Sequence, residues 1–356
     1  MENDGKHILK KDSKSDEQRI FDSCCGGNTQ SIPTLGNETD RTDDSLFKDV
    51  ATEWMIFKKA QLKESSISKY SNILKSYLIP SYGNMRIKDI SRHDVSSYSI
   101  KMLITGGHKG IGLAPKTVNS TLSVMKSIFK YAEREKRIIV ADIKDIGVKQ
   151  PQKPLRILTL NEQQRICCFL YENINPCNLG ILLCMYTGIR IGELCALRWS
   201  DINTDDQTLH IHQTMQRIQT PDDLNSKTKV VVLSPKSDCS IRRIPIPDEM
   251  FQLLLKHHNT NDNYLLTGIA DKYIEPRTLE NKFKRIATAC DIHDIKFHAL
   301  RHTFATRCVE RGFDIKSLSE ILGHSSVNIT LNRYVHPSMA LKKQNMNKLS
   351  GFITNG

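Results

Sequence analysis

The chain has 356 residues, 39% of them hydrophobic, which is enough for two ordinary domains with cores of their own and makes a disulfide or metal staple unnecessary. No stretch approaches the roughly 18 consecutive apolar residues of a membrane span, and the start, "MENDGKHILKKDSKSDEQ", lacks the apolar core of a signal peptide, so a cytoplasmic protein with no membrane partner is expected. Net charge is +12, yet residues 1 to 44 hold ten acidic and six basic side chains, a net −4 that leaves +16 on the other 312; a body that basic calls for an anionic partner, nucleic acid being the commonest, with a merely solvated basic surface as the competitor.

Residues 1 to 44 are polar and lack apolar periodicity, so they are expected to form a disordered arm. From Leu46 the pattern turns helical. "LFKDVATEWMIFKKA" puts Phe47, Val50, Trp54 and Phe57 on one stripe, and "SISKYSNILKSYLIPSYG" repeats the device with Tyr70, Ile73, Leu74 and Tyr77 before a stop at Pro80. "RHDVSSYSIKML" runs into the loop "TGGHKGIG", and "TVNSTLSVMKSIFKYAERE" aligns Val118, Leu122, Met125, Phe129 and Ala132. These four helices predict an all-α domain over 45 to 136. A linker is expected at 137 to 157, where "KRIIVADIKDIGVKQPQKPLRI" keeps no period and carries two prolines.

Thr159 and Glu162 then form a capping box, and "NLGILLCMYTGIRIGELCAL" reads as a buried helix, a glycine break and a second helix start. "TLHIHQTMQ", "KVVVLS" and "IRRIPIP" are short β-branched runs that predict a small antiparallel sheet, after which helices resume at Asp248. The fold class is therefore mainly α with a small antiparallel sheet (α+β). The ten cysteines show no CxxC pair, and most sit in apolar stretches such as "RICCFL", as small core hydrophobes of a reducing compartment do.

Four stretches hold cations or proton donors suited to a phosphodiester. Arg190 in "TGIRIGEL" follows a glycine at a helix start; a plain surface arginine is the competing reading. Lys236 in "LSPKSDCSIRRIPIP" sits in a turn between two predicted strands, where a loop lysine is usually only solvated. In "HALRHTFATR", His298 and Arg301 share a helical face. His298 and His302 also fit a zinc pair, but no general-base Glu lies between them and the adjacent arginine would repel a dication, so no metal is expected. "LGHSSVNITLNRYVH" sets His324 at a helix start after Gly323, with Tyr334 ten residues on. His302 and His336 are assigned to packing or support.

In residue type, order and local spacing, "TGIRIGELCALRWSDI", "HALRHTFAT" and "LGHSSVNITLNRY" resemble the tyrosine recombinases, the integrases of phages and conjugative elements. Their signature is an Arg, a Lys, a His-x-x-Arg, a His or Trp, and a Tyr, in that order. The resemblance covers residues 45 to 345; Lys236 is its softest match, with Lys227 and Lys229 nearby. It implies an all-helical, SAM-like core DNA-binding domain over 45 to 136 and a catalytic domain over 158 to 340, forming a C-shaped clamp on DNA. It further implies that residues 341 to 356 are a tail packing on a neighbouring protomer, with packing on its own domain as the alternative.

The roles it implies are Tyr334 as the nucleophile giving a 3′-phosphotyrosyl link, Arg190 and Arg301 on the non-bridging oxygens, and Lys236 as proton donor to the leaving 5′-oxygen. His298 would help remove the tyrosine proton, His324 would hydrogen-bond the phosphate or position the nucleophile, and Glu193 would orient the site. No ATP, metal or other cofactor is implied. The implied partners are double-stranded DNA with inverted core sites, a homotetramer in the synaptic complex and a directionality or bending factor, in a nucleoid-associated, bacterial or phage-like setting. Integration and excision of a mobile element is the leading reading. Chromosome-dimer resolution, a type IB topoisomerase and a non-catalytic DNA-binding regulator are the alternatives. One departure is that residues 1 to 44 are too short and polar for the folded arm-reading domain of many integrases: either core sites suffice, or the arm orders only on DNA.

Overall fold

Apolar periodicity is converted into two large hydrophobic cores and a small third cluster of Ala305, Cys308, Leu318, Leu322 and Tyr334. The computed structural model describes residues 44–107, 110–151, 155–219, 228–235, 238–258, 260, 262–335, 342–343 and 346–347. The expected polar arm up to residue 43, Lys236, His336 and most of the expected tail lie outside the described residues.

The first core is helical. It is built by α1 (Phe47–Lys59), α2 (Glu64–Ile73), a π turn (Leu74–Leu78), α3 (Ile79–Tyr82), α4 (Arg92–Thr105) and α5 (Pro115–Glu135). All five residues of the stripe predicted on α5 are buried, and Val118, Leu122, Met125 and Phe129 each contribute about 1.5–3 kcal/mol. On α1, Phe47, Val50 and Trp54 are buried, but Phe57 lies at the rim with Met55 taking the inner place. Pro80 does not end the second helix. The backbone widens into the π turn, where Ile79 N–H bonds to Leu74, five residues back, and Pro80 then occupies the first turn of α3, where its missing N–H costs nothing. Ser91 and Asp94 close a capping box on α4. Residues 137–151 form no regular element, yet Ile138, Ile143 and Ile146 pack into this helical core.

The second core begins with α6 (Leu160–Glu172), started by the Thr159–Glu162 capping box, and α7 (Pro176–Thr187), which is buried along nearly its whole length. α8 (Ile191–Ala196), α9 (Asp248–Lys256) and α10 (Pro276–Ala289) surround it, followed by α11 (His298–Glu310), α12 (Ile315–Leu322) and α13 (Val327–Tyr334). The single sheet expected is in fact two. β1 (Ile202–Asn203), β2 (Thr208–Ile211) and β5 (Arg242–Pro245) form one antiparallel sheet in the order β1-β2-β5, and β3 (Thr214–Gln219) pairs with β4 (Thr228–Leu233) in a separate hairpin. "TLHIHQTMQ" breaks at His212 and Gln213, so its halves join different partners.

The hairpin is tied to the helical core by polar contacts. Lys63 Nζ donates to Ser234 O at 3.2 Å and Pro235 O at 2.6 Å, Gln219 N–H donates to Ser68 Oγ at 3.2 Å, and Lys229 pairs with Glu64. Cys177, Cys184, Cys195, Cys290 and Cys308 are buried as expected of core residues, while Cys168 and Cys239 are exposed. Among the described residues, no helix is long and apolar enough to cross a membrane.

Candidate active site

The segment bearing Arg190 is shaped by two local devices. α7 is stopped by Gly188, whose left-handed backbone (φ +65°) suits a residue without a Cβ. Arg190 then caps α8, its backbone N–H donating to Glu193 Oε2 at 2.9 Å and its Nη1 to Glu193 Oε1 at 2.6 Å. From the other side Arg242, the first residue of β5, donates Nη2 to Oε2 at 2.9 Å and Nη1 to Oε1 at 3.2 Å. Glu193 is only 3% exposed. Burial pushes its carboxyl upward, but Arg242 and Arg190 outweigh that and hold it below the usual carboxylate range.

What gathers the arginines is the carboxyl end of α12. A helix leaves its last four carbonyls without intrahelical donors. Here Ser319 O and Glu320 O accept the backbone N–H groups of His324 and Gly323, through a left-handed turn at Gly323 (φ +63°). The next three carbonyls each take a different arginine: Ile321 O accepts Arg242 Nε at 2.6 Å, Leu322 O accepts Arg301 Nη2 at 2.6 Å, and Gly323 O accepts Arg190 Nη2 at 2.8 Å. The negative end of the helix dipole favours these cations. Arg301 also donates Nη1 to Gly188 O at 2.8 Å, joining the end of α7 to the end of α12. It is 2% exposed, and burial together with the Arg190 charge lowers it to about 10, still protonated at neutral pH.

His324 occupies the turn between α12 and α13, not the helix start expected, because Ser326 caps α13 in its place. Arg301 Nη2 donates to His324 Nε2 at 3.0 Å, so the ring proton lies on Nδ1, which donates to Thr330 Oγ1 at 2.8 Å. Burial, then Arg301 and Arg190, lower His324 to about 4, which keeps the ring neutral.

Tyr334, the last residue of α13, is 5% exposed, and its ring lies parallel to that of His324, with centroids 6.3 Å apart. Burial raises its hydroxyl pKa, against the pull of Arg301 and Arg333. Its Oη is 2.9 Å from His302 Nδ1. His298, His302 and Arg301 line one face of α11, as the i, i+3, i+4 spacing requires. The exposed His298 ring packs edge-on against His302 at 4.5 Å between centroids, and among the described residues no hydrogen bond joins His298 to Tyr334.

Arg190, Glu193, Arg301, His324 and Tyr334 are thus brought together, and His298 reaches the group through His302. Two residues escaped sequence reasoning. Arg242 had a readable signal: strand alternation puts it on the same buried face as Ile244, where a cation must find a partner. His302, expected to pack or support, is bonded to the tyrosine hydroxyl, and its one-turn spacing from His298 was its only sequence mark. Chemically, the cluster offers anchored guanidiniums to an anion, with a hydroxyl and neutral imidazoles beside them.

The model of the phage integrase family matches residues 156–340, and that of the phage integrase N-terminal SAM-like domain matches residues 46–103. A tyrosine recombinase XerC-like protein of Caldanaerobacter subterraneus subsp. tengcongensis is 28% identical over 77% of this chain and 74% of its own length. The ICEBs1 integrase of Bacillus subtilis is 22% identical over 82% of this chain and 79% of its own. The chain also resembles the solved structure of the Tn1549 transposon integrase in complex with transposon right end DNA, with a TM-score of 0.69, 20% identity, and coverage of 86% of this chain and 100% of that one.

Proposed function

Because the chain belongs to the phage integrase family of tyrosine recombinases, we propose that it cuts and rejoins duplex DNA at defined sites, with Tyr334 Oη as the nucleophile. Attack on the scissile phosphorus gives a 3′-phosphotyrosyl link and a free 5′-hydroxyl. Arg190 and Arg301 hold the non-bridging oxygens, whose charge must be carried through the pentacovalent transition state, and both are pre-positioned by main-chain carbonyls, so little reorganisation is needed. His324, neutral and with its one N–H given to Thr330, positions Arg301 and the parallel Tyr334 ring beside the phosphate group, while His298 assists at the open side. Glu193 fixes Arg190. Lys236, outside the described residues, is assigned the leaving 5′-oxygen by the family motif.

The single observation carrying this reading is the placement of Tyr334 beside Arg301 and parallel to His324, although they are far apart in the chain. The bond energy is kept in the phosphotyrosine, so the reverse attack by a partner duplex's 5′-hydroxyl reseals the strand without ATP. Two duplexes and two rounds of exchange call for four protomers on inverted core sites, with a Holliday junction between rounds. Integration and excision of a mobile element is the favoured role, supported by the likeness to the ICEBs1 and Tn1549 integrases; the XerC-like relative keeps dimer resolution as the alternative. A directionality or bending factor is part of this proposal.

Incubated with nicked suicide duplex bearing its site, the wild-type chain is expected to form a covalent complex that resists denaturant. Tyr334→Phe should abolish it, and a complex that persists in this variant would remove the assignment.

A further inference from the structure

The tyrosine hydroxyl is bonded to a histidine outside the family motif. His302 is buried, its Nδ1 lies 2.9 Å from Tyr334 Oη, and its ring lies between those of His298 and Tyr334, nearly perpendicular to the first and tilted by 50° to the second, at 4.5 and 5.7 Å between centroids. A neutral imidazole has one N–H and one bare nitrogen. A tyrosine hydroxyl has one proton to give, and His302 Nδ1, when bare, is placed to accept it.

We propose that His302 is the general base of DNA cleavage, holding the Tyr334 hydroxyl by its proton and taking that proton as Oη bonds to phosphorus. This rests on Tyr334 being the nucleophile. In the step, the Oη–H bond breaks toward His302 Nδ1, the Oη–P bond forms, and the P–O5′ bond breaks with its electron pair going to the 5′-oxygen, which takes a proton from the general acid. On resealing, the imidazolium returns its proton to Oη as the P–Oη bond breaks.

The surroundings make transfer dependent on substrate. Burial, then His298, Arg333 and Arg301, hold His302 down to about 4, while burial raises the tyrosine. Transfer is therefore uphill in the free protein, and the tyrosine stays un-ionised. A phosphodiester seated on Arg190 and Arg301 brings negative charge that favours the imidazolium, which couples loss of the proton to attack. The ionisable groups around the pair are His298 and Arg301 on α11, Arg333 on α13, His324 in the turn before it, and Arg190 at the cap of α8.

The test is His302→Asn on the nicked suicide duplex, followed from pH 6 to 9 with DNA binding measured in parallel. An amide oxygen can accept the hydroxyl hydrogen bond but cannot take its proton. Binding should stay near wild type, while cleavage at neutral pH falls by about 10²- to 10⁴-fold and then climbs roughly tenfold per pH unit as hydroxide replaces the base. Cleavage within about threefold of wild type, or a loss equal at every pH, overturns the proposal. Should this variant not fold, nitrogen-15 NMR of the wild-type chain reads the ring directly: a neutral His302 protonated on Nε2, with Nδ1 changed by Tyr334→Phe, is expected, and a proton on Nδ1 overturns it. A complex that survives Tyr334→Phe removes the nucleophile itself; one lost there but unaltered in His302→Asn removes only the base.

Discussion

Arg242 lies between a buried carboxylate and the end of a helix, and its side chain, 6% exposed, satisfies both. Replacing it with Met keeps the volume but leaves Glu193 with Arg190 alone and Ile321 O without its donor. Removing one partner of a buried ion pair costs about 3–5 kcal/mol. Arg242→Met should therefore lower unfolding stability by about that amount in urea titration, and should slow suicide-substrate cleavage beyond what the remaining folded fraction explains. Arg242→Lys, with one ammonium for four acceptor atoms, the two Glu193 oxygens, Ile321 O and Ser240 O, should fall between. A stability change below about 1 kcal/mol would show that the guanidinium is not needed to hold the carboxylate. Side chains of this kind are legible in sequence only as anomalies. A charged residue on the inner face of a strand says that a partner exists, but it does not say which one.

At the scale of elements, the site depends on how helices end. The left-handed turn at Gly188 releases its carbonyl to Arg301, and a Cβ built there would stand 2.4 Å from the Phe304 ring on α11. Gly188→Ala combines a left-handed penalty of about 1–2 kcal/mol with overpacking of about 1–3 kcal/mol. A drop of roughly 2–5 kcal/mol in unfolding free energy is expected, together with loss of covalent complex, because α11 must move and carry Arg301 with it. Unchanged stability would show that Phe304 can turn aside freely. The helix start at Thr159 and Glu162 is readable because a capping box is local, whereas α13 is capped by Ser326 and not by His324. The passage through Pro80 and the split of one expected sheet into two were not readable, because each depends on what the neighbouring backbone can accept.

For the whole molecule, the +16 carried by residues 45 to 356 should govern DNA affinity through counterion release. Fluorescence anisotropy on cognate duplex should show affinity falling by about 10³-fold or more between 50 and 200 mM salt, with a similar slope on non-specific duplex. A flat response would leave the charge without a role in binding. The sequence by itself determined the helical stripes, the caps, the basic body and the order of the chemical residues, since these are properties of spacing and composition. Only the tertiary structure decided that arginines from the cap of α8, from β5 and from α11 converge on three consecutive carbonyls at the carboxyl end of α12 and its cap, with Arg190 and Gly323 133 positions apart. It also decided that His302, not His298, holds the hydroxyl of Tyr334. The reason is physical. A periodic pattern fixes which face of an element turns inward, but a buried polar group finds its partner only when separate elements pack, and that choice depends on distances the chain does not write locally.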